Sequence, residues 1–353
     1  MKIETSDSYT TKEIVAGNRS ANACPVKGCQ SRIIHEVLTS KSGKKSDRFH
    51  CPEHGLEIRG STFIYYNGDT VAEKQQAKLR NVLPELRDYT GKWILGNKHK
   101  AESHRLGYEN SEDALTLNIF GWLHLNKKLP SLYEYLTGNI ARHDQLKLYL
   151  WGLEIDFVGS QPELWTPLQK VRSRLERDVR RFKTEPDIMI LGPADLVCIE
   201  AKFTSGNPIC VDEQEKAGEK PRSKERLVKK YITANDLWQK RVLEPEDIVN
   251  GKLHSQLLRM IVFTSTMAQL HNPDLNWRVI NLVSATQWKL HRAHQYGYDF
   301  QDPTPFIPMK VRDRFRFFYW EQLFDDILKE QKGFEKLASY TKTKTANLQP
   351  AFT

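Results

Sequence analysis

The chain has 353 residues, enough for one large domain with a small satellite or for two ordinary domains. Hydrophobic residues make up 39% and aromatic residues 10%, which excludes a disordered chain. A net charge of +9, from 53 basic and 44 acidic residues, suits a polyanionic partner. No apolar run approaches the ~20 residues that span a bilayer. Met1 to Glu13 lacks the apolar stretch of a signal peptide, so the expectation is a soluble, cytoplasmic protein with no membrane partner.

Residues 1–20 are polar and read as a mobile leader. Three of the five cysteines follow at once. Cys24-Pro-Val-Lys-Gly-Cys29 is one tight pair, and Cys51-Pro-Glu-His54 is a second. Cys198 and Cys210 lie far downstream. An odd count without an export signal points away from disulfides and towards metal binding. Three thiolates and one imidazole make a closed tetrahedral zinc site, structural rather than catalytic. His50 is the alternative fourth ligand, although it adjoins Cys51, and His35 reads as an ordinary strand residue. The spacing of the pairs resembles small zinc-ribbon or treble-clef modules, which need their metal to fold. Lys27, Arg32, Lys41, Lys44, Lys45 and Arg48 surround the cluster and suit either phosphate contact or a solvated loop.

A helix is predicted from about Thr70 to Leu86. Ser111 is the N-cap of another, with Leu115, Ile119, Trp122 and Leu123 at helical spacing. From Leu146 to Phe157 apolar residues alternate, with a change of phase near Trp151 and Gly152. This predicts one long, bulged strand. Thr166-Pro167 starts a helix reaching Phe182, whose apolar stripe is flanked by Lys170, Arg172, Arg174, Arg177, Arg180 and Arg181. Two strands follow, Asp187–Leu191 and Leu196–Phe203, joined by a turn at Gly192-Pro193. Residues 211–230 are highly charged and form a loop or an exposed helix. A buried helix from Leu253 to Leu270, a strand from Trp277 to Ser284, an aromatic run from Phe315 to Trp320 and a helix from Glu321 to Gln331 complete the order. The sum is an α/β fold: a zinc module over 1–75, a mixed-sheet domain flanked by helices over 76–340, and a tail over 341–353.

The chemistry concentrates in Glu185-Pro-Asp-Ile-Met-Ile-Leu-Gly-Pro-Ala-Asp-Leu-Val-Cys-Ile-Glu-Ala-Lys-Phe203. Strand alternation puts Glu200 and Lys202 on one side, and the turn can return Asp187 to them. Phosphodiester hydrolysis uses such a set. Carboxylates hold Mg²⁺ (Mn²⁺ can substitute), the metal activates water, and a lysine offsets developing charge. A carboxylate in the apolar run Leu196-Val-Cys-Ile199 would be costly without partners.

Pro186-Asp187 and Glu200-Ala201-Lys202 resemble the signature of the PD-(D/E)xK nuclease superfamily, over roughly residues 100–330. The resemblance implies a restriction-endonuclease-like fold and a metal-dependent DNA endonuclease of restriction or phage-defence type. It also implies a further acidic ligand on the preceding helix, Glu112, with Glu109 the weaker alternative. Gln256 either lines that site or is a buried amide. Arg174, Arg177, Arg181 and Lys183 would grip the backbone of double-stranded DNA, or simply face solvent. Double-strand cutting would suit a homodimer or partner proteins of a defence system. The alternatives are a non-catalytic DNA-binding scaffold, and a nuclease subunit active only within a multi-subunit defence or mobile-element system.

Overall fold

In a computed structural model of the chain, the described residues are 14, 22–40, 42–96, 105–157, 161–177, 183–204, 230–233, 255–285, 309–329, 331–346 and 349–352. Two compact units emerge: 1–122 with 328–353, and 123–327. The first unit begins with a four-stranded antiparallel sheet, β1 (Ile34–Thr39), β2 (Lys45–Cys51), β3 (Leu56–Ile58) and β4 (Phe63–Tyr65), in that order. Alternation along β3 and β4 buries Leu56, Ile58, Phe63 and Tyr65, which pack with Cys24, Val26, Cys51 and Ala77 into a small core. The outer strand β1 is largely exposed.

Helix α1 (Val71–Leu79) opens on a capping box: the Thr70 side chain accepts from the backbone of Glu73, and Glu73 reaches back to Thr70. The single helix expected over 70–86 is two, because Pro84 cannot continue a helix and instead starts α2 (Pro84–Tyr89). This runs into a π-helical turn at Thr90–Ile94. Helix α3 (Glu112–Leu125) has the expected cap, with Ala114 N donating to Ser111 Oγ at 3.1 Å.

The second unit holds a six-stranded mixed sheet. After α4 (Leu129–Thr137) come β5 (Lys147–Leu150) and β6 (Leu153–Glu154). The long strand expected over 146–157 is therefore a hairpin. Leu150 pairs with Leu153, and Trp151 and Gly152 both take positive φ, +53° and +82°, as a two-residue turn of right-handed twist requires. A change of phase is common to a bulge and a tight turn, and Trp in the first turn position hides the second reading. A Cβ on Gly152 would meet Leu168 Cδ2 at 2.5 Å.

Helix α5 is shorter than predicted, Thr166–Leu175, and residues 178–182 lie outside the described residues. Strands β7 (Ile188–Leu191) and β8 (Asp195–Lys202), helix α6 (Ser255–His271), β9 (Asn276–Val283) and β10 (Phe315–Tyr319) follow. The sheet order is β10-β9-β8-β7-β5-β6, with β8, β9 and β10 parallel and the remaining pairs antiparallel. One sheet face, carrying Met189, Leu191, Leu196, Cys198, Trp277 and Val279, packs in one core with Leu168, Val171 and Leu175 of α5 and Leu257, Leu258 and Ile261 of α6. The helix expected from Glu321 is a short turn, Trp320–Gln322, continued as a π-helix over Leu323–Leu328.

The segment read as a tail is packed into the first unit. Helix α7 (Phe334–Thr341) leads to a hairpin of β11 (Thr345–Ala346) and β12 (Gln349–Pro350), and Lys344 is fully buried. Its Nζ bonds Asn81 Oδ1 and the Glu109 carbonyl, 263 and 235 positions away in the chain, and Thr345 bonds the Glu109 carboxylate. Among the described residues, no helix is long and apolar enough to cross a membrane.

Candidate metal centre and carboxylate site

The Cys/His cluster forms at two knuckles of the first unit. In the first, Gly28 takes φ +79°, Cys29 N donates to Val26 O, and Val26 N approaches Cys24 Sγ at 3.5 Å. In the second, Cys51 ends β2 and His54 precedes Gly55, whose φ is +57°. A Cβ on Gly55 would lie 2.7 Å from the Tyr66 carbonyl oxygen, so the knuckle needs glycine. Arg80 at the end of α1 holds this turn, donating to the carbonyls of Gly55 and His54 at 2.8 and 2.9 Å.

The ligand atoms of Cys24, Cys29, Cys51 and His54 all lie within 4.8 Å of one another, close enough to hold one metal ion. Cys29 Sγ to Cys51 Sγ is 3.7 Å, and His54 Nδ1 lies 3.6 Å from Cys24 Sγ and 3.5 Å from Cys51 Sγ. Tetrahedral zinc, with bonds of about 2.3 Å to sulfur and about 2.0–2.1 Å to nitrogen, has edges of roughly 3.8 and 3.6 Å. The donor set is consistent with a structural zinc. Burial, and then the neighbouring thiols of Cys51 and Cys29, push the Cys24 thiol well above its usual range, which a bound cation would reverse. His50 is not in the cluster: it is buried on β2, 3.9 Å from Glu36. His35 is an exposed strand residue bonded to Asp47 and stacked on Phe49. Arg48 is engaged by Asp69 and Glu36 at 2.6–2.8 Å, which leaves it poorly suited to phosphate.

The second unit assembles the other set. Register decides it: Ile188 pairs with Ile199, so Asp187, one residue earlier, stands opposite Glu200. Asp187 Oδ2 accepts from Ala201 N at 2.8 Å, and the Asp187 carbonyl accepts from Trp151 N at 3.0 Å. Glu200 is 1% exposed. Its Oε1 receives Lys202 Nζ at 2.5 Å and also Gln256 Nε2 from the first turn of α6. A buried carboxylate is thus compensated by an ammonium and an amide.

The register is pinned at the far end of the hairpin. Tyr133 Oη accepts from Asp195 N, and the Asp195 carboxylate receives Arg278 at 3.0 Å and Asn139 at 2.6 Å. Tyr133 packs so closely on Gly192 that a Cβ there would lie 2.4 Å from its ring. At the near end, Trp320 Nε1 donates to the Lys202 carbonyl at 3.1 Å.

Two neighbours were not expected. Asn281 on β9 is paired in register with Glu200 and fully buried, extending the polar row to Asp187–Glu200–Asn281. A polar residue inside the apolar run Val279-Ile-Asn-Leu-Val283 is the signal the sequence offers, and the register places it beside Glu200. Glu176, within the basic stretch that follows Thr166-Pro167, is buried. It receives Thr184 N at 2.8 Å, the Thr184 hydroxyl and Tyr231 Oη at 2.6 Å, tying together the end of α5, the approach to Asp187 and the helical turn at 230–233.

The remaining candidates divide plainly. Glu112 opens α3 in the first unit. Glu109 is committed to Thr345 and Thr62 there. Arg174, Arg177 and Lys183 are exposed, while Arg172 is held by Thr184 and Glu185. Arg181 and most of the charged insert lie outside the described residues. Comparison of the chain with protein-family models, with curated proteins and with solved structures returned no match.

Proposed function

We propose that the chain is a metal-dependent DNA endonuclease of the PD-(D/E)xK type, built on the second unit, with a zinc-stabilised module in the first. The observation that carries the reading is the facing of Asp187 and Glu200 across β7 and β8, with Lys202 Nζ against Glu200. Two hard oxygen donors and one ammonium meet at one place on a sheet whose register is locked from the other end of the hairpin. A Mg²⁺ ion held by the two carboxylates would neutralise phosphate charge and lower the pKa of a bound water.

The chain's own groups supply the rest. Lys202 offers a fixed positive charge where a phosphoryl oxygen gains negative charge. Gln256 keeps the Glu200 carboxylate oriented by donating to it. The exposed Arg174, Arg177 and Lys183 offer charge for the nucleic-acid backbone. A structural Zn²⁺ on Cys24, Cys29, Cys51 and His54 leaves no open position and takes no part in hydrolysis.

The test incubates the full chain with supercoiled plasmid and Mg²⁺ or Mn²⁺, beside Asp187→Ala and Lys202→Ala. Each variant is expected to lose at least about 100-fold in cleavage rate. Unchanged cleavage in both variants overturns the proposal. Salt-dependent DNA binding without cleavage under either metal would assign the fold to a non-catalytic platform.

A further inference from the structure

The second unit contains a cavity of about 330 Å³ that belongs to neither site above, lined by His124, His143, Phe157, Asp144, Glu154 and Asp156, with two lysines at its margin. Nδ1 of His124 and Nδ1 of His143 are both shielded from solvent and both lack a hydrogen-bond partner. Buried polar atoms are nearly always satisfied, so two orphaned imidazole nitrogens in one cavity need a common explanation.

Two observations say what would satisfy them. The rings are neighbours, with centroids 5.0 Å apart and planes inclined by 40°. Two imidazoles bound at about 2.0–2.1 Å to one ion at a tetrahedral angle have centroids roughly 5 Å apart. The Ile155 backbone acts on the His124 ring in the sense that favours a ring N–H donor. A ring held by a backbone group through one nitrogen, with the unpartnered Nδ1 left for a ligand, is the arrangement a metal-bound histidine requires.

The charges at the margin nearly balance. Lys147 is paired with Glu154 at 2.9 Å and Asp144 with Arg142 at 3.0 Å, while Asp156 and Glu154 both act on His124 as anions. Lys127 acts in the opposite sense on His143. We propose that His124 and His143 form a further metal site, which takes a borderline divalent transition-metal ion such as Zn²⁺ through two imidazole nitrogens. Among the described residues no third histidine, cysteine or carboxylate completes a tight ligand set with them. The site is therefore open, with its remaining positions going to water or to an anionic ligand in the cavity. This holds whether or not the chain is a nuclease.

The experiment titrates Zn²⁺ into the desalted full chain by calorimetry, with elemental analysis of the starting material. The wild type is expected to take up one ion beyond that retained through desalting. His124→Gln and His143→Gln should each weaken this uptake by about tenfold or more, and together abolish it, with the retained ion unchanged. Nitrogen NMR of the wild type gives a readout that needs no variant: stoichiometric Zn²⁺ should shift the Nδ1 resonances of these two histidines. No further uptake by the wild type, equal uptake by a folded double variant, or Zn²⁺-induced shifts confined to other histidines would each overturn the proposal.

Discussion

Lys202 Nζ sits 2.5 Å from Glu200 Oε1, two positions along the same strand, and both side chains are buried on the sheet face that α5 and α6 cover. The pair exists because strand alternation returns every second residue to one side and because the apolar flanks keep water away. Each charge makes the other tolerable.

That dependence gives the first prediction. Lys202→Met leaves Glu200 buried with Gln256 as its remaining side-chain donor, which should cost about 3–5 kcal/mol in urea unfolding. Glu200→Gln with Lys202→Met, which removes both charges, should cost much less. If the carboxylates hold Mg²⁺, added Mg²⁺ should raise the melting temperature of Lys202→Met more than that of the wild type, since the ion replaces the missing ammonium. A variant as stable as the wild type in Mg²⁺-free buffer would show that the pair is not load-sharing in this way.

Removal of the metal from the first unit should act on that unit alone. Cys51, the last residue of β2, is fully buried in the core with Leu56, Phe63 and Tyr65, so its ligand bond is part of the fold. Structural zinc sites of this composition contribute on the order of 10 kcal/mol of apparent folding energy. Cys51→Ser, or a strong chelator, is expected to abolish zinc retention and to expose the 22–65 segment to trypsin. The sheet of the second unit should remain protected in hydrogen exchange. Uniform loss of protection across both units would refute the independence of the two.

How much of this was legible before the structure depended on the range of the contacts. The Cys/His cluster could be read because both knuckles are local, with Pro and Gly marking the turns. The placement of Glu200, Lys202 and Asp187 could be read because period-two alternation and one turn determine it. The Trp151–Gly152 hairpin is hidden in the sequence because a bulky residue at positive φ is rare, and its cost is offset by burial that no local pattern reveals. Lys344 was assigned to a tail because its partners, Asn81 and Glu109, are more than 200 residues away in sequence. Asn281 was passed over as one polar residue in a strand, since only register shows that it stands beside Glu200.

The Glu109–Lys344 pair predicts an unusual pH profile. Burial raises Glu109 from 4.5 to about 7 and lowers Lys344 from 10.5 to about 7. Glu109 therefore binds more protons folded than unfolded between about pH 4.5 and 7, so its contribution to stability falls as pH rises through that window. Lys344 binds fewer protons folded than unfolded between about pH 7 and 10.5, so its contribution grows with pH there. The two together should give a minimum near neutrality. Urea unfolding at pH 5, 7 and 9, comparing the wild type with Glu109→Gln plus Lys344→Met, should show the variant gaining most at pH 7. A difference that is flat across the three values would count against a buried charged pair.

The last prediction concerns Gly152, which links backbone geometry to the carboxylate site. Its φ of +82° disfavours any L side chain, and an added Cβ would lie 2.5 Å from Leu168 Cδ2 and 2.8 Å from Leu164 Cδ1. Gly152→Ala should therefore destabilise the second unit by about 1–3 kcal/mol, from the backbone and the overpacking together. The neighbouring Trp151 N donates to the Asp187 carbonyl, so a displaced turn moves the strand end that carries Asp187. Cleavage by this variant should fall more steeply than its folded fraction at the assay temperature accounts for. Leu168→Ala in the same background tests the cause: it removes the nearer of the two atoms in the way and should restore part of the activity, although alone it costs about 2–5 kcal/mol by leaving a cavity. Activity that tracks the folded fraction in both variants would confine the role of the turn to stability.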